Sequence, residues 1–110
     1  MTSVQKTLMT WNTWEIKDKE LLTLILGRAG GKTTVKILDL IISGVYNKNQ
    51  LAKRLDLDYK TVSYHIQIFL LHDYITEKKF ENVSYYHPTK KLFSNIEEYN
   101  LLRKHILNRK

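Results

Sequence analysis

Four polar residues close together in the chain could form hydrogen bonds with the edges of nucleic-acid bases. They fall on one side of a helix: Lys60, Ser63, Tyr64 and Gln67. The apolar residues of the same stretch share another side at helical spacing: Val62, Ile66, Phe69 and Leu70. The pattern predicts a helix over about 59–72 that buries its apolar side. The free side would then suit a major groove, where base edges offer donors and acceptors.

Two helix-start signals place another helix directly before this one. Asn47 followed by Gln50 is a capping-box pattern, in which each side chain bonds the backbone amide of the other residue. Asp58 is a favourable N-cap for the polar-faced helix. The spacing predicts a short helix over 48–55 and a tight turn over 56–58, which requires the two helices to cross sharply.

A further helix and a hairpin extend this region. Apolar residues cover most of the circumference of a helix over 32–43, which predicts that it is buried. Two runs rich in β-forming residues, 75–80 and 83–87, then alternate around a short turn and predict a β-hairpin. The inward-facing candidates in this hairpin are Ile75 and Tyr86.

Four hairpin residues are candidates for contact with phosphates or a minor groove: Lys78, Lys79, Asn82 and Tyr85. The alternative is that the two lysines only solvate the edge of a hairpin. The helix pair before the hairpin favours DNA contact.

These segments resemble a known family. GGKTTVKILDLI, YNKNQLAKRLDLDYKTVSYHIQIFLLHDYI and the hairpin ending SYYHP are similar to the winged helix-turn-helix of archaeal ArsR-like transcription regulators. The resemblance covers about residues 30–88, just over half of the chain. It implies a mainly α (α+β) fold with a three-helix core, a β-hairpin wing and flanking helices. It also implies a homodimer.

We expect one domain over residues 1–110, because a chain of this length supports one modest core. Its predicted parts are an N-terminal extension and helix (1–31), a three-helix core (32–74), the wing (75–88) and a C-terminal helix (89–110).

The two ends of the chain carry apolar stripes that need cover. A helix over about 14–26, which follows Trp11, is expected to end at Gly27. A last helix is expected from Ser94, with Ser94 and Glu97 as a capping box. The candidate dimer-interface residues on these helices are Leu21, Ile25, Ile96, Tyr99, Leu102 and Ile106. They would pair between two subunits or fold back on their own core. Ile68 and Leu71 also need cover that the three-helix core does not provide.

Composition narrows the functional classes. The chain has a net charge of +7, which favours a polyanionic partner, although residues 101–110 hold four of its basic side chains and no acidic one. It contains no cysteine, and its isolated histidines do not predict a metal site. GRAGGKT departs from the phosphate-loop spacing by one residue and follows a helix rather than a strand. We therefore expect that the protein is not an enzyme and that it binds no cofactor or metal. We also expect it to be cytoplasmic, without a membrane segment.

Two functional hypotheses follow. In the first, the protein is a sequence-specific regulator of transcription that binds double-stranded DNA. Bases are read by Lys60, Ser63, Tyr64 and Gln67, and phosphates are held by a second set: Asn47, Asn49, Lys53, Tyr59 and Thr61. In the second, a winged helix serves as a protein-interaction module within a nucleic-acid assembly, without sequence readout. The nearly neutral 59–74 segment supports the second hypothesis.

Overall fold

The structure, a computed structural model, describes residues 16–108. In this range the chain forms six helices and one antiparallel hairpin. The elements in order are α1 (Lys19–Leu26), α2 (Gly31–Ser43), α3 (Lys48–Leu55), α4 (Tyr59–Leu71), β1 (Ile75–Phe80), β2 (Val83–Pro88), α5 (Lys90–Ser94) and α6 (Ile96–Leu107). The mainly α prediction is confirmed. No helix in the described range has the length and apolar character needed to cross a membrane.

The described residues form two compact units. One comprises residues 16–32 and 95–108, and the other comprises Thr33–Ser94. The second unit contains most of α2 together with α3, α4, the hairpin and α5. The predicted domain boundaries stay a prediction.

The crossing of α3 and α4 depends on the two predicted caps. The Asn47 side chain accepts a hydrogen bond from the Gln50 backbone N–H at 2.8 Å, and the Gln50 side chain accepts one from the Asn47 N–H at 2.9 Å. Asp56 ends α3 in the left-handed conformation, with φ 56°. Asp58 then caps α4 by accepting from the Thr61 N–H at 2.7 Å. Both predicted helix starts are therefore confirmed.

The α4 helix buries one side. The fully buried residues of this side are Val62, Ile66 and Phe69. Leu51 of α3 is also fully buried, and α3 packs against α4. Burying an aliphatic or aromatic side chain of this size contributes about 1.5–3 kcal/mol, so this apolar contact fixes the rotation of α4 about its own axis.

The hairpin pairs β1 with β2 from Ile75 opposite Pro88 to Phe80 opposite Val83. Its turn residues, Glu81 and Asn82, both have positive φ, as a two-residue turn of type I′ requires. The predicted inward residues, Ile75 and Tyr86, are both buried. An isolated bridge, in which the Tyr86 N–H donates to the Tyr46 carbonyl at 3.3 Å, joins the hairpin to the residue before the α3 cap.

In the other unit, α1 packs against α6. The Glu98 carboxylate accepts hydrogen bonds from the backbone N–H groups of Lys17 at 3.0 Å and Asp18 at 2.9 Å. Asp18 caps α1 by accepting from the Leu21 N–H. Because this cap fixes the start, α1 begins at Lys19, and the predicted helical conformation of residues 16–18 is wrong. Trp11 and Trp14 lie outside the described residues. Gly27 caps the end of α1, as predicted.

The predicted start of the last helix is also wrong. Ser94 ends the short α5 helix and does not cap α6. Thr89 starts α5, since its hydroxyl accepts from the Leu92 N–H at 3.3 Å and donates to the Asp73 carbonyl at 2.7 Å. Asn95 precedes α6, and in the described range its side chain makes no capping hydrogen bond.

The glycines before α2 serve a close backbone approach. Gly30 has φ 89°, which disfavours other residues. A Cβ on Gly31 would stand 2.1 Å from the carbonyl oxygen of Ile25. A glycine at position 31 therefore allows the close approach to the Ile25 carbonyl, and the element before it is a helix rather than the strand of a phosphate loop.

We expect Gly31→Ala to destabilise the fold, because the added methyl must displace the Ile25 backbone. Overpacking of this kind costs about 1–3 kcal/mol. Urea unfolding followed by circular dichroism measures the loss. Lys36→Ala, at an exposed position of the same helix, is the control and should change the free energy of unfolding by less than about 0.5 kcal/mol. Equal stability of both variants would contradict this role for Gly31.

Candidate nucleic-acid interface

The predicted base-reading residues lie on the open side of α4. Lys60, Tyr64 and Gln67 are exposed, and Ser63 is half-buried. We call these four residues the recognition face. They project from the side opposite the buried Val62. Within residues 16–108, no other segment covers Lys60, Tyr64 and Gln67, which are solvent-exposed.

His65 belongs to the core. It is 5% exposed, and its Nδ1 lies 3.4 Å from the Thr34 hydroxyl oxygen. Its ring also contacts the rings of Tyr64 and Phe69. Among residues 16–108, no group of three or more side chains could hold a metal ion.

The residue that caps α4, Asp58, carries a negative charge. Hydrogen bonds from the Thr61 side chain and backbone hold the pKa of Asp58 below its usual value, and the positive charge of Lys60 acts in the same direction. Asp58 therefore stays ionised at neutral pH. A negative cap is favourable there because the N-terminus of a helix carries partial positive charge.

A cleft of about 410 Å³ lies between the hairpin and the starts of α3 and α4. It brings together four of the residues predicted to contact a DNA backbone or lie on the wing: Asn47, Asn49, Tyr59 and Asn82. A neighbouring open cleft of about 640 Å³ is lined by Lys53 together with Asn47 and Asn49. Four of the five residues predicted to contact phosphates, all except Thr61, therefore line two adjoining clefts. Thr61 is half-buried beside the α4 cap.

The predicted wing residues do not form one surface. Lys78 pairs with Tyr85 across the hairpin, on the face opposite Tyr86, since side chains alternate along a strand. Together with Lys79 they line a shallow groove of about 300 Å³ beside Val45. Asn82 instead lines the cleft next to α3 and α4.

Several residues of the cleft were not predicted from the sequence. The Lys48 Nζ donates to the Ser63 hydroxyl at 2.9 Å and lies 5.7 Å from the centre of the Tyr59 ring. Glu77 adds a carboxylate that accepts a hydrogen bond from the Ser84 hydroxyl. Burial raises the pKa of Tyr86, and the Glu77 charge acts in the same direction. No sequence pattern joins Lys48 to Ser63, because the two residues meet only when α3 crosses α4.

The predicted dimer-interface residues lie mostly inside a single chain. Five are buried: Leu21, Ile25, Tyr99, Leu102 and Ile106. Ile96 is half-buried. Leu71, which was expected to need cover, is 80% exposed in the single chain.

Comparison with solved structures identifies the fold. HlyU from Vibrio cholerae N16961 superposes with a TM-score of 0.57 at 17% identity, over 79% of this chain and 97% of that one. NolR from Sinorhizobium fredii gives 0.54 at 14% identity, over 90% and 94%. A MepR-like protein complexed with pseudoligands gives 0.55 at 20% identity, over 100% and 84%. These proteins are winged-helix transcription regulators. The fold is a winged helix. No family model and no curated protein sequence matches this chain.

We expect the Asp58 charge to make α4 sensitive to acid. Because the folded-state pKa is lowered, this contribution to stability is complete above the ordinary aspartate pKa of about 3.9 and disappears as pH falls through the lower folded value. Asp58→Asn keeps a capping oxygen but cannot titrate. The free energy of unfolding of both proteins is measured by urea unfolding at pH 7 and pH 2.5. The wild type should lose more stability than Asp58→Asn when the pH is lowered. An unchanged difference would contradict the ionised cap.

Proposed function

We propose that this protein is a cytoplasmic, sequence-specific regulator of transcription that binds double-stranded DNA. The observation that supports this most directly is the exposed recognition face on a helix whose opposite side is fully buried. In this proposal α4 enters the major groove, and Lys60, Ser63, Tyr64 and Gln67 contact base edges. The similarity to winged-helix regulators supports the same class. The proposal assigns no catalytic activity to the chain.

Phosphate contacts position the protein in this proposal. Four of the predicted phosphate contacts, Asn47, Asn49, Tyr59 and Thr61, lie at or near the N-termini of α3 and α4. The fifth, Lys53, is a basic residue in the last turn of α3. Helix N-termini favour anions because their N–H groups and dipole point outward. The wing adds a further set on the backbone or the minor groove: Lys78, Lys79, Asn82 and Tyr85.

Within winged-helix regulators, we assign the chain to the archaeal ArsR-like type. The support is the run QLAKRLDLDYKTVSYH, which covers most of α3, the turn and the first half of α4. This run contains both the buried Leu51 and the exposed Tyr64, so it determines packing and the recognition face together.

The base-reading proposal makes different predictions for α4 and for the wing. Gln67→Ala should weaken binding to a selected site by about 1–3 kcal/mol and change little on unrelated duplexes. The pair Lys78→Ala and Lys79→Ala should weaken all duplexes similarly and flatten the dependence of log K on log salt by about 0.9 for each phosphate that is no longer neutralised. Fluorescence anisotropy on selected and scrambled duplexes measures both. Equal losses on every duplex for Gln67→Ala would contradict its role as a reader.

We also propose a homodimer that pairs through the flanking helices. Five of the candidate interface residues are already buried within one chain, so they would pack beneath the contact surface rather than touch the partner directly. Ile96, at the start of α6, is the half-buried member of the set and is available for contact.

Sedimentation equilibrium should therefore give a mass twice the 13.1 kDa of one chain. Ile96→Glu should shift the protein towards the monomer, because a charge in an apolar interface loses its hydration. Ile96→Leu is the matched control and should remain dimeric. A wild-type mass of 13.1 kDa at every concentration would contradict the proposed dimer.

One observation favours the protein-interaction alternative. The second half of α4 presents an open surface lined by Tyr64, Gln67, Ile68, Leu70 and Leu71. Leu71 is 80% exposed and Tyr64 is 56% exposed. Exposed apolar surface of this kind is a common feature of contacts between proteins. Absence of duplex binding at low salt would favour this alternative, because an electrostatic contribution to DNA binding is largest there.

A further inference from the structure

The Lys48 side chain connects the start of α3 to the recognition face. Its Nζ donates a hydrogen bond to the Ser63 hydroxyl oxygen at 2.9 Å. A lysine ammonium has three donors and no acceptor, so the direction of this bond is unambiguous. The Ser63 oxygen accepts, and its own proton is free to be donated elsewhere. Among the described residues, Lys48 is the hydrogen-bond partner that the structure gives this hydroxyl.

This bond changes what Ser63 can recognise. An isolated serine hydroxyl can donate or accept, so it discriminates weakly between bases. Here one lone pair of the oxygen is occupied, and a positive charge lies beside it. A second donor that approaches the oxygen meets that charge. The hydroxyl is therefore biased towards donating.

Two features hold Lys48 in place. It is the first residue of α3, directly after the reciprocal Asn47–Gln50 cap. Its ammonium also lies 5.7 Å from the centre of the Tyr59 ring, within the range of a cation–π contact. Lys48 and Ser63 thus sit on two capped helices that pack together. The hydrogen bond is preorganised before any partner arrives.

We propose that Lys48 is a specificity-determining residue, which fixes Ser63 as a donor and makes it select a base with a major-groove acceptor, guanine above all, and reject cytosine. This inference rests on the proposed DNA-reading function and specifies one of its contacts. Lys48 acts through Ser63 and is a positioning residue.

The chemistry of the base edges explains the selection. Guanine presents two acceptors, N7 and O6, in the major groove. These atoms suit both the Ser63 proton and the nearby ammonium charge. Adenine offers the N7 acceptor beside a donor, and thymine offers one acceptor beside a methyl group. Cytosine presents only its N4 donor, which would point at an oxygen already bonded to a cation.

Selection from random duplexes, followed by affinity measurements on single-base variants of the selected site, tests the proposal. Five proteins are compared: wild type, Lys48→Met, Lys53→Met, Ser63→Ala and the double variant Lys48→Met, Ser63→Ala. Lys48→Met keeps an unbranched side chain but removes the charge and the donors. Lys53→Met is the matched control, because it makes the same change at an exposed position of the same helix.

The wild type should disfavour cytosine at one position by about fivefold or more, the discrimination that a single hydrogen bond supports. Lys48→Met should lose that discrimination, since the freed hydroxyl can turn to accept from cytosine N4. Ser63→Ala should lose the preference at the same position. Lys53→Met should bind all variants more weakly while keeping the preference. The double variant Lys48→Met, Ser63→Ala should discriminate no differently from Ser63→Ala alone.

Three results separate this inference from the function on which it rests. If Lys48→Met weakens every duplex equally and keeps the disfavoured base, Lys48 is a phosphate contact and the inference is overturned. If Lys48→Met and Ser63→Ala alter different positions of the site, the coupling is overturned. In both cases sequence-specific binding stands. If the wild type selects no sequence, the proposed function fails as well.

Discussion

The hydrogen bond from the Thr61 N–H to the Asp58 side chain fixes the residue at which α4 begins. A start displaced by one residue would change the entry angle of the chain, while the buried Val62, Ile66 and Phe69 oppose any rotation of the helix. Cap and apolar contact together leave one arrangement, in which Lys60, Tyr64 and Gln67 remain in solvent. Every proposed contact with a base depends on that arrangement.

Local interactions were the part of the fold that the sequence predicted well. Asn47, Gln50 and Asp58 act within three residues of their partners, so their types and spacing were sufficient. The Ser94–Glu97 pattern failed, because Thr89 had already started α5 upstream. In the candidate site, exposure of the α4 side followed from periodicity. The Lys48–Ser63 contact and the separation of Lys78 from Asn82 depend on helix crossing and strand register, which a linear pattern does not contain.

The three solved structures compared above are 14–20% identical to the chain over most of its length. Such divergence is compatible with one fold, because a core tolerates many apolar substitutions if volume and patterning are kept. The recognition face is exposed and carries no such requirement. Its side chains are therefore free to differ between proteins of one architecture, and its ligand must be inferred from residues such as Gln67 and Ser63 themselves.

The bridge between Tyr46 and Tyr86 has a mechanical consequence. A two-stranded ribbon is only marginally stable alone, and this bridge anchors it to the backbone immediately before the α3 cap. In the proposed DNA complex, the distance between the hairpin and α4 would then be fixed. A duplex whose helical twist did not match this distance would have to deform before α4 and the hairpin could both contact it. Sequence-dependent stiffness of bases that no side chain touches would then contribute to the choice of site.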